Sequence, residues 1–241
     1  MSSWSPMHAM GAYLHSLQLC KEYYNQETNT SGSNKLMEPK LMEYVSALAA
    51  GNEARLIADI GSGGASPITL GLAVAAQQTG GRLICLRSDQ KTLESAKKQI
   101  ENFGLAGATE FAVGHPCDAV GRLRNVDFAV IDPNVLEECM EEVFLAIDMN
   151  PRGSIVVVSN VFQSRRLGGR VCSYGRVVKE RGGVESVVVL PIGDGLEVTR
   201  IRRRVEMLEE MVVITCVGDQ RGHFWCMRKC KMFHVDIRLD I

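Results

Sequence analysis

What this chain lacks first is an excess of charge of either sign. Lysine and arginine total 27 against 28 aspartates and glutamates, a formal net charge of −1. No molecule-wide field therefore gathers nucleic acid or an anionic membrane surface; only a local basic patch stays open. Long apolar runs are absent too, so no segment is suited to cross a bilayer, and the N-terminus has no secretory pattern. The eight cysteines are scattered rather than arranged as a disulfide framework, which reads as reduced thiols in the cytoplasm or nucleus. What is present is core-forming material. Apolar residues are 46% of the 241, enough for one α/β domain with an extension.

Apolar positions Met7, Met10, Leu14, Leu17 and Tyr24 recur at helical spacing and predict a helix over 5–24. Residues 25–34 read as a polar loop and 38–50 as a second helix, ended by Gly51 and Asn52. From there strands and helices alternate. Strands are expected at 56–60, 82–86, 110–113, 126–131 and 154–158. Helices are expected from Ser66-Pro67 to Thr79, over 89–103 and over 136–147. Strands separated by helices imply a parallel sheet covered on both faces. After the fifth strand the pattern changes. Residues 161–170 read as a surface loop and 174–179 as a short helix or strand. The runs 184–190 and 196–201 flank Gly193-Asp194-Gly195 and read as a hairpin. The expected fold is α/β and Rossmann-like: a mostly parallel seven-stranded sheet with a terminal antiparallel hairpin. Its parts are an N-terminal helical cap over the ligand cleft (1–53), the α/β domain (54–204) and an atypical extension (205–241).

The segment Ala58-Asp59-Ile60-Gly61-Ser62-Gly63-Gly64-Ala65 carries the clearest chemistry. It is a strand end, a tight glycine turn and a helix start. Glycines let a backbone approach a ligand with no side chain between, and the helix start aims unpaired N–H groups over the turn. Asp59 suits an amine or other cationic group. Together these fit a nucleoside carrying an amino-acid tail, and S-adenosylmethionine fits best. Asp59 would hold the amino group and Gly61, Ser62, Gly63 and Gly64 would surround the methionine portion. Gly114, His115 and Pro116 would line the adenine. A dinucleotide is the rival. Gly61-x-Gly63-x-x-Ser66 is a loose fingerprint lacking its third glycine, and Arg87-Ser88 would suit the 2′-phosphate of NADP.

Other positions carry two readings each. Asp132, ending the fourth strand before Pro133 and Asn134, faces either the reaction centre or its own helix as an N-cap. His115 is a general base or an ordinary loop histidine. Arg165, Arg166 and Arg170 clamp an anion or lie in a solvated loop. In the tail, 212–217 reads as a strand, and His223, Cys226, Cys230 and His234 have zinc-type chemistry. Their spacing is not that of a standard finger, and no metal is expected.

Several stretches carry a resemblance. Trp4-Ser5-Pro6, Glu43-Tyr44-Val45-Ser46-Ala47-Leu48-Ala49-Ala50-Gly51 and Leu190-Pro191-Ile192-Gly193-Asp194-Gly195-Leu196 resemble a plant family of uncharacterised proteins. That family is assigned to the Rossmann-like S-adenosylmethionine-dependent methyltransferases. More distantly, Phe128-Ala129-Val130-Ile131-Asp132, Ser159-Asn160 and Arg202-Arg203 are similar to caffeoyl-CoA-type O-methyltransferases. The resemblance implies methyl transfer to O or N of a small molecule, with Asp132 at the reaction centre. Two departures stand out. Arg87 occupies the place of the acid that holds the donor's ribose in that group, with Asp89 two residues on. Ser159 replaces a metal-binding carboxylate, which leaves a hard cation short of charged oxygens. These losses support a second reading, a non-catalytic binding or regulatory protein on the same scaffold. An NADP-linked reductase is the third.

Overall fold

The computed structural model describes residues 4–30, 40–132, 140–161, 183–202, 214–218, 224–229 and 234–239. Two units divide the chain, Met1–Arg203 and Arg204–Ile241.

The first unit is built on a seven-stranded sheet. Its strands are β1 (Leu56–Gly61), β2 (Arg82–Arg87), β3 (Thr109–Val113), β4 (Phe128–Ile131), β5 (Ser154–Val158), β6 (Val184–Leu190) and β7 (Leu196–Ile201). They lie in the order β3-β2-β1-β4-β5-β7-β6. The first five are mutually parallel; β7 runs antiparallel to both β5 and β6. The expected fold class is therefore the observed one. β1, β4 and β5 are buried at every position, as strands covered on both faces must be.

Alternation along these strands sorts the core into two layers. Ile57, Leu83, Cys85, Phe128, Val130, Ile155 and Val157 pack with the helices α1 (Pro6–Thr30), α2 (Lys40–Gly51), α3 (Pro67–Thr79) and α4 (Gln90–Asn102). Ala58, Ile60, Ile84, Leu86, Ala129, Ile131, Val156 and Val158 pack with α5 (Pro116–Val120) and α6 (Met140–Ala146). The period of two puts Asp59 on the first of these faces, beside Ile57 and beneath α3.

α3 is apolar nearly all round and buried from Ile68 to Ala76, so it needs cover from above. That cover is α2, which comes so close that a Cβ on Gly71 would lie 2.7 Å from the Met42 carbonyl oxygen. α1 returns along α2, with the Ser5 N–H on the Gly51 carbonyl at 2.8 Å. The N-terminal helices thus complete the hydrophobic layer over α3.

Other boundaries differ in instructive ways. α1 extends to Thr30, through residues read as a polar loop, while 31–34 lie outside the described residues. Val126 makes only an isolated bridge to Met149 instead of starting β4. The starts of the expected 38–50 and 136–147 helices, and 162–182 with Arg165, Arg166 and Arg170, also lie outside the described residues. No helix among the described residues is long and apolar enough to cross a membrane.

The second unit contains β8 (Ile214–Gly218), β9 (Phe224–Lys229) and β10 (His234–Leu239), an antiparallel sheet of its own in the order β10-β9-β8. His223 and Cys230 of the zinc reading lie outside the described residues.

Candidate functional site

In an open parallel sheet the ligand crevice lies beyond the carboxyl ends of the strands, where their order reverses. Here that point is between β1 and β4. The glycine turn leaves β1 and enters α3 through a capping box. The Thr69 N–H donates to the Ser66 hydroxyl at 3.2 Å, and the Ser66 N–H donates to Thr69 Oγ1 at 3.1 Å. Pro67 follows as first helical residue. Thr69 then has its own proton left, and it points down: Thr69 Oγ1 donates to Asp59 Oδ2 at 2.8 Å.

The dominant group at the junction is one the sequence reading placed where a ribose-binding acid is expected, or against a 2′-phosphate. Arg87, the last residue of β2, folds back beneath the turn with its side chain 1% exposed. Its Nη2 lies 2.8 Å from Asp59 Oδ2 in a buried ion pair, and also reaches the Gly64 carbonyl and Thr69 Oγ1, each at 3.3 Å. Nε donates to the Gly63 carbonyl at 2.7 Å. Nη1 donates to the carbonyls of Leu86 at 2.7 Å and Asp59 at 3.2 Å. Burial opposes the positive charge, but Asp59, by charge and by hydrogen bond, outweighs it and raises the guanidinium's affinity for its proton. Cys85 feels the same surroundings. Burial and then the Asp59 carboxylate push its thiol up to about 12.

The turn's glycines are explained by this packing. A Cβ on Gly61 would lie 3.0 Å from Arg87 Cζ and Nη1. One on Gly64 would lie 2.8 Å from Gln99 Oε1, the acceptor of the Ala65 N–H at 2.7 Å. Gly63 alone is open, exposed and with nothing within 4 Å of its would-be Cβ. Two of three glycines therefore make room for the chain's own side chains.

Ser62 and Asp132 do meet at the order reversal: Ser62 Oγ donates to Asp132 Oδ2 at 3.0 Å, and the Asp132 N–H donates to the Ile60 carbonyl. Asp89 is the exposed N-cap of α4. Its oxygens accept from the N–H and hydroxyl of Thr92, each at 2.9 Å, and these bonds hold its carboxyl below the usual range. Gly114 is tied to the Arg87 carbonyl at 3.0 Å. His115 is an exposed N-cap and Pro116 the first residue of α5. β2 and β1 stand between the strands that carry His115 and Asp132. At one strand spacing per step that is about 14 Å, so the two do not form an acid–base pair. Ser159 is buried with its N–H on the Ile131 carbonyl, and Asn160 takes a left-handed φ of 55°. Among the described residues no three acids, histidines or cysteines gather as a metal site.

Thr69, Ser95 and Gln99 were missed in the sequence. The available signal was weak: Thr69 lies in the first turn of α3, and Ser95 and Gln99 lie one turn apart on α4, facing the glycine turn. For Arg87 the signal was a charge closing the apolar run Leu83-Ile84-Cys85-Leu86.

Strand order, the reversed β7 and the glycine turn together are those of a Rossmann-like methyltransferase fold. Solved structures share it. The S-adenosylhomocysteine-bound methyltransferase PaMTH1 of Podospora anserina matches with a TM-score of 0.57 at 14% identity, over 83% of this chain and 90% of that one. The O-methyltransferase TomG of Streptomyces achromogenes, in complex with S-adenosylmethionine, matches at 0.55 and 19%, over 79% and 89%. A putative caffeoyl-CoA O-methyltransferase of Staphylococcus aureus matches at 0.54 and 14%, over 78% and 99%. No curated protein sequence matches the chain. Residues 2–207 match the family described as "Protein of unknown function (DUF1442)", and the chain belongs to that family.

The residues present do not fit S-adenosylmethionine in the manner the sequence suggested. Asp59 is taken by Arg87 and Thr69, Arg87 is turned inward, and Asp89 is engaged as a helix cap. The same inward turn withholds Arg87 from a 2′-phosphate of NADP.

Proposed function

We propose that this chain is a non-catalytic binding or regulatory protein on a methyltransferase scaffold. The observation that carries the reading is the buried Arg87–Asp59 pair. An enzyme using this junction to hold a zwitterionic donor needs the carboxylate facing its ligand, and here that carboxylate is paired with a side chain of the protein. Gly63, Ser62 and Asp132 stand at the carboxyl ends of β1 and β4, where this fold would take a small organic ligand, and the balanced net charge argues against nucleic acid.

A second reading is S-adenosylmethionine-dependent methyl transfer to O or N of a small molecule. The Ser62–Asp132 contact at the β1/β4 reversal favours it, because it leaves polar groups where that fold holds its ligands.

The two readings part in solution. Calorimetric titration with S-adenosylmethionine and S-adenosylhomocysteine is expected to give a Kd weaker than about 1 mM, or less than about 4 kcal/mol of binding. Labelled-methyl transfer to a panel of phenols, catechols, carboxylic acids and amines is expected to stay at the protein-free rate. Micromolar binding with turnover of any acceptor establishes the second reading and removes the first.

A further inference from the structure

The space beneath the glycine turn is lined by acceptors. Asp59 Oδ2, the carbonyls of Asp59, Gly63, Gly64 and Leu86, and Thr69 Oγ1 all lie within 3.3 Å of one guanidinium. A planar guanidinium has five N–H donors in a fixed fork, and every one has an acceptor here. Burying a carboxylate among carbonyl oxygens is costly unless a cation with several donors sits among them. The ring closes over elements far apart in sequence: the end of β1, the turn, the first turn of α3 and the end of β2.

We infer that this is a binding site for a guanidinium group, and that Arg87 is its built-in occupant. Arg87 enters from β2 across the sheet and excludes any external cation. Gly63 forms the roof: its carbonyl accepts from Arg87 Nε while its other side faces solvent. With the Arg87 side chain shortened, the cradle opens beneath an exposed turn and a small cation can enter by that route. The inference rests on the non-catalytic reading above, since it takes Arg87 to stay seated in the native protein.

Chemical rescue of the full-length protein tests it. Arg87→Ser leaves the Asp59 carboxylate without its counter-ion and the other five acceptors without the guanidinium's donors, and its Tm should fall by roughly 10 °C or more. Ethylguanidinium at about 10 mM should recover at least half of that loss through binding to the folded state. Sodium or tetramethylammonium at equal ionic strength should not, and wild-type Tm should not respond to ethylguanidinium. No recovery, or an equal rise in wild type, overturns the inference. If Arg87→Ser is insoluble, its refolding yield is read with and without ethylguanidinium, and an unchanged yield counts against the inference in the same way. Arg87→Lys is the second variant. One ammonium cannot reach all six acceptors, so its Tm should lie between those of wild type and Arg87→Ser. A Lys variant as stable as wild type also overturns the claim. Donor turnover by wild type would defeat the functional reading instead, and is measured separately.

Discussion

Arg87 shows how one residue can reverse the meaning of a motif. Aspartate before a glycine turn reads as a ligand reader, yet here the carboxylate has an intramolecular partner at 2.8 Å. Replacing only one member of a buried pair leaves the other uncompensated. Asp59→Ala is therefore expected to lose about 3–5 kcal/mol of stability in urea unfolding, and a loss below about 1 kcal/mol, the range of an exposed pair, contradicts the geometry. Glu43, on α2, is a second buried charge with the opposite consequence. It is 7% exposed, and its Oε1 has no hydrogen-bond partner among the described residues. Burial raises its pKa, and its charge adds to the burial that pushes the Cys20 thiol up to about 11. An acid whose pKa is raised by folding binds more protons in the folded state, so stability falls as pH rises from the ordinary carboxylate pKa through the raised one. Glu43→Gln should raise the urea midpoint at pH 7, with the gain shrinking towards pH 4. A midpoint difference that is flat with pH would show that the carboxyl does not change its proton affinity on folding.

Elements were the most legible level. The alternation of apolar runs with Gly and Pro punctuation located all seven strands of the main sheet, and Ser66-Pro67 was sound as a helix start because cap and first-turn chemistry are local. Less visible were the short helices Ala106–Ala108 and Pro116–Val120, which have too few residues to show a period. The extension of α1 through polar residues to Thr30 ran against composition. The packing of α1 and α2 on α3 was hidden for another reason: α3 is buried nearly all round, and its need for cover is a tertiary fact. That cover depends on Gly71. Gly71→Ala gains up to about 1 kcal/mol in helix propensity but drives a methyl into the Met42 carbonyl, an overpacking cost of about 1–3 kcal/mol. A net loss of roughly 1 kcal/mol, seen as a lower urea midpoint, is expected. A more stable variant would mean that α2 yields freely.

At the scale of the molecule, the mostly parallel sheet and its terminal antiparallel hairpin followed from the alternating pattern, while the content of the site did not. Topology depends on many weak, repeated signals along the chain. The site depends on one long side chain whose direction no local pattern reveals: Arg87 was visible as a missing acid, but not as the group that closes the junction. The chain also divides at Arg203, and each unit has its own sheet. A protein ending at residue 203 should keep the main thermal transition within roughly 3 °C of the full chain, as an independent core requires; a fall several times larger would make the second unit part of that core.

The most direct measurement of the central claim is the arginine side-chain region of a ¹⁵N-edited NMR spectrum of the full-length protein, assigned with Arg87→Ser. The account predicts one Nε–H signal for Arg87, slow to exchange with solvent and unmoved by millimolar S-adenosylhomocysteine. A signal that exchanges freely, or that shifts and loses protection when the nucleoside is added, would show that the junction is open to ligand after all.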